Sequence, residues 1–149
     1  MFYNLLIENA KKDGIDKNVV GSIILNNNKV LILSRKMNDF MGGIDELPSG
    51  NMEANEGIYD ALVREVKEET NLDIENVISY INSFDYTSRS NKKVRQYNFV
   101  AKVKSIDNIK LSEHDAYKWL SFDEIKKSSK ITDEVKLALE IYKFNFINN

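Results

Sequence analysis

The sequence contains no cysteine, a single proline and no long apolar run. The missing cysteines exclude disulfide bonds, thiolate metal sites and cysteine nucleophiles, and they fit a reducing compartment such as the cytosol. No apolar stretch approaches the roughly 18 residues that a membrane span needs, and the first residues lack a basic region followed by an apolar core. These absences predict a cytoplasmic protein with no membrane partner.

The sequence also has little net charge, because 21 basic residues face 23 acidic ones, which gives −2 at pH 7. This balance does not indicate a surface for nucleic acid, so no nucleic-acid partner is expected. With 149 residues, of which 42% are hydrophobic, the chain can bury one full core. No repeat, low-complexity tract or linker divides it, which predicts a single domain over residues 1–149.

Apolar and β-branched runs predict strands, and the first two runs are apolar enough to be covered on both faces. The predicted strands cover residues 18–25, 29–35, 74–86, 94–103 and 117–120. The predicted helices cover residues 56–70, 122–127 and 132–144, with Asn55 as the cap of the first. Residues 36–50 are predicted to form a loop, and residues 1–17 stay open between an edge strand and a turn of helix. The pattern indicates one sheet with helices against it, in an α/β or α+β arrangement.

The segment from Gly50 to Leu72 carries an unusual concentration of acid. Glu65, Glu68 and Glu69 fall within one turn and a half of the predicted helix, where residues three and four apart share a face. Like charges at this spacing repel one another, and the repulsion grows if the face is partly buried. We therefore expect a compensating cation close to the cluster.

The apolar stripe of the same helix runs directly into this cluster. Ile58, Ala61 and Leu62 have the spacing of a core-facing stripe, and the next positions along it are Glu65 and Glu69. Most acid-rich helices are simply exposed and solvated, and this is the alternative interpretation. Acids that continue a core-facing stripe instead favour a functional cluster.

The spacing across this segment resembles the Nudix box, G-x5-E-x7-R-E-U-x-E-E-x-G-U, in which U is an aliphatic residue. The matching residues are Gly50, Glu56, Arg64, Glu65, Val66, Glu68, Glu69 and Leu72. Asn71 replaces the last glycine of the box, and asparagine is the next most tolerant residue in a left-handed conformation. The resemblance to MutT-like, single-domain Nudix hydrolases implies the Nudix fold, an α/β/α sandwich around a mixed β-sheet.

The resemblance also implies a site for Mg²⁺, with Mn²⁺ as a possible substitute. Glu68 and Glu69 match the main metal ligands of the family, and Glu65 matches either a further ligand or the base that takes a proton from water. The carbonyl of Ser49, in the LPSG sequence before the box, matches a backbone ligand of some members. Glu113, in the later loop, matches an acid that reaches back to the metal.

Other positions are expected to hold the frame or the substrate. The resemblance pairs Arg64 with Glu56 as a structural link, with the arginine turned away from Glu65. Arg35, at the end of the second strand, is expected to meet substrate phosphates, and Gly50 to allow close approach of a metal or phosphate. His114 is either a donor behind the ligands or a surface residue, and the surface position is favoured.

The implied activity is hydrolysis of a pyrophosphate bond in a nucleoside diphosphate linked to another group X, by metal-assisted attack of water on phosphorus. A nucleoside triphosphate or oxidised nucleotide is the favoured substrate. Family members that hydrolyse ADP-ribose often carry a proline after the box, and no proline follows Pro48 here. Members that act on dinucleoside polyphosphates often carry a tyrosine in a similar place, and Tyr86 is close to that position without matching it. The alternative is a non-catalytic module that binds or senses a nucleotide. Such modules typically lose box glutamates, and all of them are present here. The oligomeric state stays open, with a homodimer as one possibility.

Overall fold

The computed structural model describes residues 2–39 and 42–147, so Phe40 and Met41 of the predicted loop lie outside the described residues. The helices are α1 (Tyr3–Lys12), α2 (Ile58–Thr70), α3 (Phe122–Lys127) and α4 (Asp133–Phe146). The strands are β1 (Lys17–Asn26), β2 (Lys29–Arg35), β3 (Asp45–Glu46), β4 (Ser49–Asn51), β5 (Ile74–Thr87), β6 (Lys93–Val103) and β7 (His114–Ser121). No helix among the described residues has the length and apolar character needed to cross a membrane.

Strand β1 joins the sheet together because it pairs with three other strands. It runs parallel to β6 and antiparallel to β2 and β4. The main order is β3-β2-β1-β6-β5, with β4 beside β1 and β7 beside β2. The sheet is therefore mixed, as the resemblance implied.

Helices cover both faces of this sheet, and the alternation of side chains along the strands explains how. In β1, Val20 and Ile24 pack in one core with residues of α1 and α2, whereas Ile23 packs in a second core with residues of α3 and α4. Strand β2 alternates in the same way, with Leu31 in the first core and Ile32 in the second. The α/β/α sandwich and the burial of both strand faces are confirmed.

The elements differ from the sequence prediction in several places. Residues 36–50, predicted to form a loop, contain β3 and the start of β4, because these short segments pair with β2 and β1. The opening segment, left undecided, forms a ten-residue helix whose Ala10 is buried in the first core. Helix α2 begins at Ile58 with Gly57 as its cap, because Asn55 takes a left-handed conformation (φ 64°) in the turn before it. Strand β7 begins at His114, three residues earlier than expected.

Asparagines in the left-handed conformation form two of the turns of the fold. Asn71 ends α2 with φ 67°, and its N–H donates to the Lys67 carbonyl at 2.9 Å. Asn71 therefore adopts the left-handed conformation for which the box usually has a glycine at this position. Asn27 and Asn28 have φ values of 52° and 62° and form the tight turn of the β1–β2 hairpin.

Candidate active site

An acidic cavity of about 480 Å³ opens beside α2, between β4 and the start of β7. Three of the four box glutamates, Glu65, Glu68 and Glu69, line it, together with Glu113 and an acid that the sequence did not single out, Glu46. The structure thus brings Glu113 to the cluster across more than forty residues of chain. We refer to this space as the acidic cavity.

Strand β4 carries Ser49 and Gly50 into the wall of this cavity. A side chain at Gly50 would collide with the carboxyl group of Glu65. The sequence predicted a metal or phosphate close to this glycine, and the neighbour found here is a glutamate. The missing side chain at Gly50 therefore lets α2 bring Glu65 against the backbone of β4.

Arg64 ties the loop before α2 to the helix. Its Nε and Nη2 atoms donate to the two carboxylate oxygens of Glu56, both at 2.7 Å, and Nη2 also donates to the Asn51 carbonyl at 2.9 Å. The guanidinium lowers the pKa of Glu56 to about 2. This bidentate pair is the structural link that the resemblance implied.

The same guanidinium also reaches into the acidic cluster, so the expectation that Arg64 turns away from Glu65 was wrong. Its Nη1 atom donates to Glu65 at 2.7 Å and to Glu68 at 3.3 Å. Neighbouring positions on a helix diverge by about 100°, but the long arginine side chain folds back far enough to bridge that angle. Arg64 therefore offsets part of the charge of both glutamates.

Glu69 is the most buried acid of the cluster, at 5% exposure. One carboxylate oxygen accepts the Ser49 N–H at 2.6 Å, and the other lies 3.5 Å from His114 Nδ1. Burial, together with the charges of Glu46, Glu65 and Glu113, raises its pKa to about 9 despite the hydrogen bond from the Ser49 N–H, which lowers it. A negative charge on Glu69 is therefore costly unless a cation comes close.

His114 and Glu46 form a layer behind Glu69 that the sequence did not reveal. His114 is only 8% exposed, so the favoured surface position was wrong. Its Nε2 lies 2.9 Å from Glu46 Oε2. No sequence signal marks Glu46, because the two-residue strand β3 brings it to the site only by pairing with β2.

Arg35 lies where the acidic cavity meets a larger cavity of about 780 Å³, and it lines both. Its guanidinium is held by Glu46 at 3.4 Å and by Asp39 at 3.2 Å. Phe84 and Tyr86 of β5 contribute aromatic surface to the larger cavity. The volume is typical of a site for a small organic molecule.

The donor set of the acidic cavity fits a hard divalent cation such as Mg²⁺, which prefers oxygen ligands. Glu65, Glu68, Glu69 and Glu113 supply carboxylate oxygens on one cavity wall. Within residues 2–39 and 42–147, no three acids or histidines are already grouped closely enough to hold an ion. The buried Glu69 is the carboxylate whose charge a bound cation would stabilise most.

Comparisons with known proteins agree with this geometry. A family model described as the NUDIX domain matches residues 16–140. The chain therefore belongs to the NUDIX domain family. A solved structure of the MutT protein from Methanosarcina mazei Go1 has a TM-score of 0.75 to this chain and 25% identity, and the match covers 86% of this chain and 93% of that one.

Two curated relatives match shorter regions. Nudix hydrolase 2 from Arabidopsis thaliana is 34% identical over 110 residues, which is 70% of this chain and 39% of that protein. An ADP-ribose pyrophosphatase from Methanocaldococcus jannaschii is 47% identical over 53 residues, which is 36% of this chain and 31% of that protein. The chain thus matches less than half the length of each relative.

Proposed function

We propose that this protein is a divalent-metal-dependent hydrolase that cleaves the pyrophosphate bond of a nucleoside diphosphate linked to X. The observation that carries the proposal is the burial of Glu69 among other carboxyl groups: burial raises its pKa, and a cation close by would offset the cost of its charge. Glu65, Glu68 and Glu113 surround the same cavity. Retention of every box glutamate supports an enzyme over a non-catalytic nucleotide-binding module.

Glu68 and Glu69 would hold the metal, with Glu113 and the Ser49 carbonyl as further donors. When bound, the ion supplies electrostatic stabilisation of the phosphate oxygens and makes water a better nucleophile. Burial raises the pKa of Glu65, which brings this carboxyl closer to the range of a general base at neutral pH. Glu65 therefore serves as the base or as a further ligand, and Arg64 and Glu56 keep α2 and its loop together.

The two cavities suggest how a substrate lies. The nucleoside would occupy the larger cavity beside Phe84 and Tyr86, and the phosphates would extend past Arg35 to the acidic cavity. The larger cavity has room for one nucleoside. A nucleoside triphosphate, including one with an oxidised base, fits this arrangement, and we propose this class as the substrate.

A second candidate substrate is ADP-ribose, which the similarity to an ADP-ribose pyrophosphatase over the 53-residue region favours. It has the same chemical core, a pyrophosphate attached to one nucleoside. It differs in the group X, which would extend out of the acidic cavity on the side away from the larger cavity.

The test is a substrate panel with Mg²⁺, containing nucleoside triphosphates, 8-oxo-dGTP, ADP-ribose and diadenosine tetraphosphate. Reactions in ¹⁸O-labelled water, with the products identified by mass spectrometry, show which phosphorus is attacked. We expect release of pyrophosphate and a nucleoside monophosphate from a triphosphate. If no member of the panel is turned over with Mg²⁺ or Mn²⁺, the proposed function is contradicted.

A further inference from the structure

A chain of polar contacts connects Arg35 to Glu69 behind the acidic cavity. The Arg35 guanidinium lies 3.4 Å from the Glu46 carboxylate, and Glu46 Oε2 lies 2.9 Å from His114 Nε2. On the other side of the imidazole ring, Nδ1 lies 3.5 Å from Glu69 Oε2. Four residues from β2, β3, β7 and α2 thus meet end to end, with the imidazole between two carboxyl groups.

An irregularity in β7 places His114 in this chain. Ala116 pairs with Ser34, but the next residue of β2, Arg35, pairs with His114, so Asp115 is an extra residue and forms a bulge. A bulge of this kind redirects side chains and is frequent beside active sites. The bulge leaves Asp115 exposed and sets the buried His114 opposite Arg35.

The contacts on each side of the imidazole fix its orientation. A carboxylate only accepts hydrogen bonds, so the His114 Nε2–H donates to Glu46. The ring then presents Nδ1 to Glu69. Nδ1 is buried, and no atom of the described residues makes a hydrogen bond to it. Since buried polar atoms are nearly always paired, Glu69 Oε2 is the partner that this geometry offers, and a hydrogen bond between the two atoms needs one proton on either of them.

We propose that His114 is a positioning residue: held by Glu46, its imidazole fixes the Glu69 carboxyl in the orientation that binds the divalent cation. This inference rests on the proposed function, because it assigns a role toward the metal that the function requires. Partners behind a metal ligand typically change metal affinity by about 10-fold to 100-fold. The same effect is expected here for His114.

The test measures binding of Mn²⁺ alone, without nucleotide, by titration calorimetry. The proteins are wild type, His114→Ala, Glu69→Gln and the double variant. We expect His114→Ala to weaken Mn²⁺ binding about 10-fold. The double variant should bind as Glu69→Gln does, because the imidazole acts only through Glu69 and the two effects cannot add.

Conservative variants separate positioning from simple packing. The amide group of asparagine lies near the place of Nδ1, so His114→Asn keeps a hydrogen-bonding group toward Glu69. The amide nitrogen of glutamine lies near Nε2, so His114→Gln keeps only the contact with Glu46. We expect His114→Asn to retain more Mn²⁺ affinity than His114→Gln. Asp115→Asn, at the exposed residue of the bulge, is the control and should bind Mn²⁺ normally.

If His114→Ala does not fold, as judged by circular dichroism, the asparagine and glutamine variants decide the question. Equal Mn²⁺ affinity in wild type and folded His114 variants, or additive losses in the double variant, would overturn the inference while the proposed function stands. A wild-type protein that binds no Mn²⁺ would contradict both. Hydrolysis of the substrate panel by wild type distinguishes these cases.

Discussion

The carboxylates at the two ends of the acidic cavity have different partners. At the outer end, the Arg64 guanidinium contacts Glu56, Glu65 and Glu68. At the inner end, Glu69 is buried against a backbone N–H and an imidazole. The protein itself offsets negative charge at the outer end, whereas in the proposed function a divalent cation would offset the charge at the inner end. This difference suggests that Arg64 and Glu56 maintain the frame, whereas Glu69 is the proposed ligand whose charge depends most on the metal.

Removal of the metal should have the largest effect on the rate of hydrolysis. With excess EDTA, hydrolysis of the best substrate should fall by about 1000-fold or more, because the charge on the reacting phosphates is then not offset. Added Mg²⁺ should restore it. The measurement is the initial rate of product release. Unchanged turnover in EDTA would show that the acids do not act through a metal.

Substitution of an exposed acid at the outer end should have a smaller effect than removal of the metal. Glu68→Gln should lower kcat by about 100-fold with little change in melting temperature, because the side chain is 56% exposed and removes a ligand charge but no core contact. Glu53→Gln is the matched control, since Glu53 is also exposed and lies 3.8 Å from Arg64. Equal rates in the two variants would remove Glu68 from the ligand set.

Substitution of Arg35 tests the junction of the two cavities. Arg35→Gln should raise KM by about 10-fold and change kcat less, because it removes a charge that binds phosphate in both the bound substrate and the transition state. Lys17→Gln is the control, since Lys17 lines only the larger cavity. An unchanged KM in Arg35→Gln would place the phosphates elsewhere.

Substitution of Glu56 should affect stability more than catalysis. Its pKa falls to about 2 in the folded protein, so the pair with Arg64 stabilises the fold fully above pH 4.5, and this contribution is lost as the pH falls toward 2. Glu56→Gln should cost about 2 kcal/mol at pH 7. Urea unfolding at pH 7 and pH 2.5 checks this, and a difference from wild type that stays constant with pH would contradict it.

The sequence was sufficient for the features that depend on local spacing. The stripe on α2 predicted which glutamates point inward, and Asn71 adopts the left-handed turn expected of a glycine substitute. These outcomes follow from helix periodicity and from the conformational tolerance of single residues, and both can be inferred without knowledge of the neighbours.

The burial of His114 and the position of Glu46 beside it could not be predicted in this way. His114 is buried because one extra residue bulges from β7, and Glu46 arrives through a two-residue strand. Both depend on pairing between segments far apart in sequence. The reach of Arg64 to Glu65 similarly depends on a side-chain conformation that helix spacing does not determine.

The most direct test of the difference between the two ends is the kcat of Glu69→Gln beside that of Glu56→Gln, on the best substrate with saturating Mg²⁺. Both substitutions remove one carboxylate charge and little volume. Glu69→Gln should lower kcat by about 1000-fold and keep a metal-free melting temperature close to that of wild type, because the amide has nearly the volume of the carboxyl and carries no charge to bury. Glu56→Gln should lower kcat by less than about 10-fold. Equal losses in the two variants, or near-normal turnover by Glu69→Gln, would contradict the account.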